Sequence, residues 1–332
     1  TTNTFGEKGS SFRSCATVDV HAEKFLGEFP EAVSVLKSRR YCDDVGYSCA
    51  DECLLIKMFL QIKEILRRGG FALGKIATNS ERLKDLIDPN DLVKLKEFDG
   101  NLQGASSLGL GWDPQDDSFY YLGLEEVHEA AIEMPPTKKT IISIVLRIFD
   151  VLGLAHAFIV QAKLLLKLAW ENGSGWDEIL PEEIAKMWRI WVAQIPVLKQ
   201  LKIPRNILLP RFDSLTIEAF GDASNLAIGC SIFVRCAYKD NVKVSLIGAS
   251  SRVKKGVLTI AKMELQAILE AAKMAVNRAA ALKIGKENIY VYTDSRISFH
   301  WVTSSRDPAS WEVYVANRIS QILSLVQKDN VR

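Results

Sequence analysis

The sequence predicts an α/β protein in three parts: a mixed α+β leading region, a helical middle, and a closing mixed sheet with helices packed on it. Three observations carry that prediction. Leu215–Arg235 alternates apolar and polar residues, breaks at Gly221-Asp222-Ala223-Ser224 and resumes, as a β-hairpin does. Residues 259–283 then take a helical period, and Asn288–Asp294 is a further apolar run ending on an acid. Antiparallel strands followed by one entered through a helical crossover give a mixed sheet. Upstream, Leu54, Leu55, Met58, Phe59, Ile62, Ile65 and Leu66 recur at three- and four-residue steps, the stripe of an amphipathic helix.

In chain order, residues 1–40 read as irregular, punctuated by Gly6, Gly9, Gly27 and Pro30, with Val33–Lys37 opening a strand or a short helix. A helix is predicted over Asp51–Arg68, stopped by Gly69-Gly70, and a strand over Phe71–Ile76. Leu108–Trp112 and Ser118–Leu122 bracket the turn Asp113-Pro114-Gln115-Asp116-Asp117 as a hairpin. Pro135-Pro136 marks a boundary. Three helices follow, over Thr137–Asp150, Ala155–Glu171 and Pro181–Ile195, with Thr137 and Asp177 as cap candidates. Arg205–Arg211 reads as a linker. The last part is the hairpin, a strand over Val242–Ser250, the long helix, the strand ending at Asp294, and helices over Arg296–Thr303 and Pro308–Val326. The divisions are therefore 1–134, 135–211 and 212–332.

A chain of 332 residues with 48% hydrophobic and 25% charged residues has material for two or three ordinary cores. Its net charge of +2 gives no global basic field, so any nucleic-acid surface must be local. No uncharged apolar run is long enough to span a membrane. The six cysteines form no CxxC pair, which suits reduced thiols, and the spacing of Cys42, Cys49, Cys53 and His21 matches none of the usual zinc ligand pairs. With Thr1 at its start and no targeting segment, the chain reads as a piece of something longer.

Two sets of acids carry possible chemistry. Asp43 and Asp44 sit in a tight turn after Tyr41-Cys42 and could offer an oxygen pair to a hard cation, or be a solvated turn. Asp222 ends one strand, Asp294 ends another, and Glu264 lies near the start of the long helix. Singly each has a structural reading, as turn cap, helix-start acid and helix cap. Jointly they converge on the rim of one sheet, where clustered like charges are unfavourable unless a cation offsets them. Two Mg2+ ions about 4 Å apart would do so and would orient a water for attack on a phosphodiester. Trp170, Trp176, Trp188 and Trp191 at helical spacing read as core rather than base-stacking residues. Arg252, Lys254 and Lys255, before the long helix, are candidates for phosphate contact or a solvated basic loop.

These phrases resemble a known family. Asp222-Ala-Ser, Lys262-Met-Glu264-Leu and Tyr292-Thr-Asp294-Ser295 resemble the first three acidic motifs of retroelement ribonuclease H domains. Tyr41-Cys-Asp-Asp44 resembles the YxDD turn of a reverse transcriptase palm, and Gly69–Asn79 the segment after it. Leu108-Gly-Leu-Gly-Trp112, Arg147-Ile-Phe-Asp150, Leu152-Gly-Leu154, Gln161-Ala-Lys163, Gly175-Trp-Asp177, Ser251-Arg-Val253 and Val315-Ala-Asn-Arg318 resemble phrases of the BEL/Pao class of LTR-retrotransposon Pol polyproteins. The resemblance spans nearly the whole chain.

It implies a partial palm, a helical thumb or connection, and a ribonuclease H-like domain lacking its last strand. It also implies the parent activities: RNA-directed DNA synthesis and Mg2+-dependent (or Mn2+-dependent) cleavage of RNA in RNA–DNA hybrids. Asp222, Glu264 and Asp294 take the nuclease role, Asp43 and Asp44 the polymerase role. The implied partners are nucleic acid and the rest of the Pol polyprotein, in a cytoplasmic virus-like particle or the nucleus, with no membrane and no secretion; oligomeric state is not readable. Departures lower the expected activity. The polymerase aspartate that precedes the YxDD turn has no counterpart, since Asp19 lacks its context. Gly111 stands where relatives carry Arg, Lys75 resembles a pyrophosphate-protonating lysine without its setting, and no fourth nuclease acid follows Asp329–Arg332. This chain is therefore expected to be weakly active or inactive. The alternative is a decayed or host-adopted module that binds nucleic acid or a partner without catalysis.

Overall fold

The computed structural model describes residues 7–93, 96–98, 101–103, 105–107, 109–254 and 256–332. The chain divides into two compact units, Thr1–Ser107 with Gly111–Ser118, and Leu108–Leu110 with Phe119–Arg332.

The first unit opens on helices α1 (Ser10–Glu23) and α2 (Pro30–Ser38), where the sequence had suggested mostly irregular chain. Their start signals are weak: α1 has no side-chain cap and no acid in its first turn, and α2 starts on Pro30, whose fixed φ suits a first helical position. The two-residue strands β1 (Arg40–Tyr41) and β2 (Asp44–Val45) pair antiparallel around Cys42-Asp43. Helix α3 (Glu52–Arg68) follows, with the Asp51 side chain accepting from the backbone N–H of Cys53 and Leu54. Its buried face of Met58, Ile62, Ile65 and Leu66 packs with Val33, Leu36 and Ala22 into one core. The strand expected over Phe71–Ile76 does not form. Lys75 adopts a positive φ of 54°, and the stretch contributes only a bridge between Ile76 and Leu92, while Phe71 and Leu73 pack on the core without a ladder. Helix α4 (Glu81–Lys84) and strands β3 (Lys96–Phe98), β4 (Asn101–Gln103) and β5 (Ala105–Ser107) complete this region.

The chain passes between the units within the segment holding β6 (Leu110–Asp113) and β7 (Ser118–Tyr121), the two arms of the expected hairpin. The second unit continues with α5 (Leu124–Glu133), which the sequence reading missed because its N-cap is Gly123 rather than a hydroxyl or carboxamide residue. Then come α6 (Lys138–Arg147), α7 (His156–Glu171) and α8 (Glu182–Val192). Thr137 caps α6 by accepting from the Thr140 N–H, whereas Asp177 is no cap and pairs with Lys139 at 3.1 Å. Trp188 and Trp191, stacked with ring centroids 5.0 Å apart, lie at the centre of this helical core, while Trp170 and Trp176 are exposed.

After β8 (Ile203–Pro204) come β9 (Ser214–Ala223), β10 (Ala227–Tyr238), β11 (Asn241–Val253), α9 (Ile260–Leu282), β12 (Ile289–Tyr292), α10 (Arg296–Thr303) and α11 (Val313–Leu325). The sheet order is β11-β10-β9-β12; the first three strands are antiparallel and β12 runs parallel to β9. Alternate residues Ile217, Ala219, Ile232 and Val234 bury against Leu265, Ile268, Ala272 and Ala275 of α9, which explains the period-two pattern of the strands. Val331 bridges Val291 in parallel, and Arg332 exchanges backbone hydrogen bonds with Val291 and Thr293, so the final residues lie along the outer edge of β12. Among the described residues, no helix is long and apolar enough to cross a membrane.

A candidate metal centre at the sheet rim

Three local features bring Asp222, Glu264 and Asp294 together. Asp222 is the penultimate residue of β9, paired with Gly229 of β10. The residue before it, Gly221, meets the backbone of α9: a Cβ there would lie 2.7 Å from the carbonyl carbon and oxygen of Ala267. Only glycine lets strand and helix approach so closely. Glu264 lies one helical turn before Ala267, so this contact sets its height above the strand end. Asp294 lies two residues past the end of β12, and Ser295 next to it caps α10 by accepting from the Ser298 N–H. The fully buried Ser298 hydroxyl donates to the Ala261 carbonyl in the first turn of α9 at 3.0 Å, tying the Asp294 loop to the helix that carries Glu264.

Each of the three acids offers one oxygen, and these oxygens all lie within 4.8 Å of one another. Asp222 and Asp294 are exposed; Glu264 is buried beneath them. Burial is the main cause lifting the Glu264 carboxyl from its ordinary 4.5 to about 7, reinforced by the charges of Asp222 and Asp294 and opposed by the N–H of Ala223. Its Oε2 is buried without any hydrogen-bond partner. A buried acceptor left bare between two anions is costly unless something positive meets it. An all-carboxylate donor set fits a hard cation of the Mg2+ type rather than a thiophilic one. The residues thus fit a divalent ion, and no other group of three His, Cys, Asp or Glu side chains among the described residues does.

The remaining sequence candidates fall elsewhere. Asp43 and Asp44 are exposed at the β1–β2 turn, with no third ligand beside them among the described residues. Asp19 is held by Arg40 at 2.8 Å, and Arg40 also donates to the carbonyls of Cys15 and Cys42, so that guanidinium braces the turn. His21 contacts the Ile65 carbonyl at 2.7 Å, and the cysteines are free thiols. Arg252 is exposed and pairs with Glu270 of α9 at 3.0 Å. Lys254 is half-buried, and its N–H donates to the Leu226 carbonyl. Lys255 lies outside the described residues.

The sequence reading missed the fixtures that hold these parts. The glycine at position 153, with φ +75°, packs its α-carbon against β11, where a Cβ would sit 1.8 Å from the Ala249 oxygen. Beside it, the Ala249 N–H donates to the Leu152 carbonyl. Asp150 accepts from Tyr121 and from the N–H groups of Leu154 and Ala155, fixing the turn into α7. A glycine inside a strand (221) and an aspartate before a Gly-containing turn (150) were the available signals.

A mixed sheet with this strand order, backed by α9 and carrying an acidic rim, defines an RNase H-like domain. Comparison narrows this: residues 137–295 match the model described as Pao retrotransposon-like RNaseH-like domain, the retroelement class that the motifs resembled. Among solved structures, the foamy viral protease-reverse transcriptase in complex with dsDNA is similar at 17% identity and a TM-score of 0.51, covering 99% of this chain and 58% of that one. At that identity the likeness is one of fold, and the chain spans little over half the length of that protein. RNase H1 from Halobacterium salinarum is 13% identical over 35% of this chain and 80% of its own, with a TM-score of 0.22. An N-terminal RNase H domain from Mycobacterium tuberculosis is 15% identical over 36% of this chain and 78% of its own, with a TM-score of 0.25. Comparison with curated proteins finds no match.

Proposed function

We propose that Asp222, Glu264 and Asp294 hold Mg2+, with Mn2+ as a substitute, for hydrolysis of phosphodiester bonds in the RNA strand of an RNA–DNA hybrid. The observation that carries this reading is the bare, buried Glu264 Oε2 facing two exposed carboxylates. A bound cation would supply Lewis-acid stabilisation of the leaving oxygen and a water of lowered pKa. The chain's own residues do the rest. Asp222 and Asp294 present oxygens on the solvent side, where a phosphate arrives. Glu264, steadied by the Ala223 N–H, supplies a fixed oxygen from beneath. Arg252 and Lys254 offer phosphate contacts that read shape and charge rather than sequence.

Three acids and no fourth meet at the rim among the described residues, so slow turnover is expected, and binding without cutting is the second reading. In this reading Asp43 and Asp44 take no polymerase role, since no third ligand joins them among the described residues. We place a palm-like part at 1–134, a thumb or connection at 135–211 and the nuclease-like part at 212–332, working beside the rest of a Pol polyprotein in a cytoplasmic particle or the nucleus. The test is cleavage of an end-labelled RNA strand in a hybrid with Mg2+, wild type against Asp222→Asn. Wild-type cleavage that Asp222→Asn abolishes supports the nuclease; equal background from both removes it and leaves the binding module.

A further inference from the structure

Alongside the sheet edge, α7 and β11 leave an open groove of about 620 Å3. Its helical wall carries Lys163, Lys167, Trp170 and Glu171, and its other wall is Ser251–Val253. Among the lining residues, three cations (Lys163, Lys167 and Arg252) stand with one acid, Glu171. Trp170 is 57% exposed. The Lys138 ammonium sits 3.5 Å from its ring centroid, adding a positive charge behind the ring. Each groove cation has a partner: Lys163 reaches the Ser251 carbonyl at 3.5 Å, Lys167 meets Glu171 at 3.6 Å, and Arg252 pairs with Glu270 at 3.0 Å. The two lysine contacts, at 3.5 and 3.6 Å, are long and exchange readily for a phosphate, whereas the Arg252–Glu270 pair is firmer, with Glu270 only 16% exposed.

The register ties this groove to the acidic rim. Asp222 pairs with Gly229, and Gly229 pairs with Ser251, so the three residues form one row across the sheet. Two strand spacings, about 10 Å, separate the ends of that row. A polyanion lying on the rim can thus continue into the groove.

We propose that the groove between α7 and β11 holds the sugar–phosphate backbone of the polynucleotide bound at the acidic rim, with Lys163, Lys167 and Arg252 taking phosphates and Trp170 offering a ring face to a sugar or base. This rests on the nuclease reading for its substrate but is tested without catalysis. The probe is a fluorescein-labelled RNA–DNA hybrid, followed by anisotropy in EDTA across a salt series, with the full chain. Lys163→Glu/Lys167→Glu should weaken binding roughly tenfold or more and lower the salt slope by about two. Trp170→Ala should weaken it severalfold. Where the double reversal does not fold by circular dichroism, Lys167→Gln and Arg252→Gln take its place, each lowering the slope by about one. A wild-type chain that shows these binding shifts yet cuts no hybrid in Mg2+ would remove the cleavage reading alone and leave the groove result standing. Folded groove variants that bind the hybrid with wild-type affinity and salt slope overturn the proposal. So does polyglutamate competing as well as unlabelled hybrid, which would mark an acidic-peptide surface instead.

Discussion

Replacing Glu264 with Gln should stabilise the metal-free protein at alkaline pH, and the size of the effect follows from the site. In the unfolded chain this carboxyl titrates near its ordinary 4.5, in the folded protein near 7. Between those values the folded state binds more protons, so stability is fully present below pH ~4.5 and is lost as pH rises through about 7. At ~1.4 kcal/mol per pH unit the loss approaches about 3 kcal/mol by pH 8, which in a unit of this size is roughly 6–12 °C in melting temperature. Glu264→Gln carries no such proton and should melt close to wild type at pH 5 but higher by that margin at pH 8. The difference between the two curves reports Glu264 together with the two neighbouring carboxylates whose charges act on it. The measurement is thermal melting by circular dichroism in EDTA from pH 5 to 8. Mg2+ should then raise the wild-type melt at pH 8, by about 2.7 kcal/mol at a hundredfold excess over its dissociation constant, and leave Glu264→Gln nearly unmoved. Parallel wild-type and Glu264→Gln curves across the pH range would refute the reasoning, because they would mean that burial and the two neighbouring charges do not act on this carboxyl.

Other substitutions probe the supports of the site. Gly221→Ala pushes a methyl to 2.7 Å from the Ala267 backbone and should cost about 1–3 kcal/mol in urea unfolding while weakening the Mg2+-dependent rise in melting temperature. Gly153→Ala should cost at least about 2 kcal/mol by the same assay, since it adds a residue at positive φ to a clash with the Ala249 carbonyl. Trp191→Phe should cost about 1 kcal/mol more than Trp188→Phe by urea midpoint, because Trp191 Nε1 donates to the Phe158 carbonyl whereas Trp188 Nε1 has no partner. Asp43→Asn/Asp44→Asn should leave the Mg2+-dependent melting shift at its wild-type value; its loss would put metal binding at the β1–β2 turn.

Elements whose signal is local were legible. The strands β9 and β10 alternate against one helix, α9 is capped by Thr259 and closed by Lys283 in the left-handed region, and α10 spans the stretch expected of it. Elements whose stability comes from packing were not. Helices α1 and α5 lack the side-chain caps that announce a helix, yet they bury Val18 and Ala22, and Leu124 and Val127, in their respective cores. Phe71–Ile76 has strand-like residues without a partner strand. Hydrophobic patterning says which face is buried, never what lies opposite it.

The same distinction holds at the site. Each acid could be flagged because it ends an apolar run or opens a helix, but the burial of Glu264 beneath two exposed aspartates is a property of the approach between β9 and α9. That approach is set by Gly221 against Ala267, a contact between positions 46 residues apart. Had position 221 carried a side chain, the strand end and the helix would stand farther apart, Glu264 would gain water, and its Oε2 would have solvent as a partner. The cause of its raised pKa and of its affinity for a cation would then weaken together. The chemistry of this rim therefore depends as much on a residue without a side chain as on its three carboxylates, which is why acid spacing alone identifies the ligands but not the strength of the site.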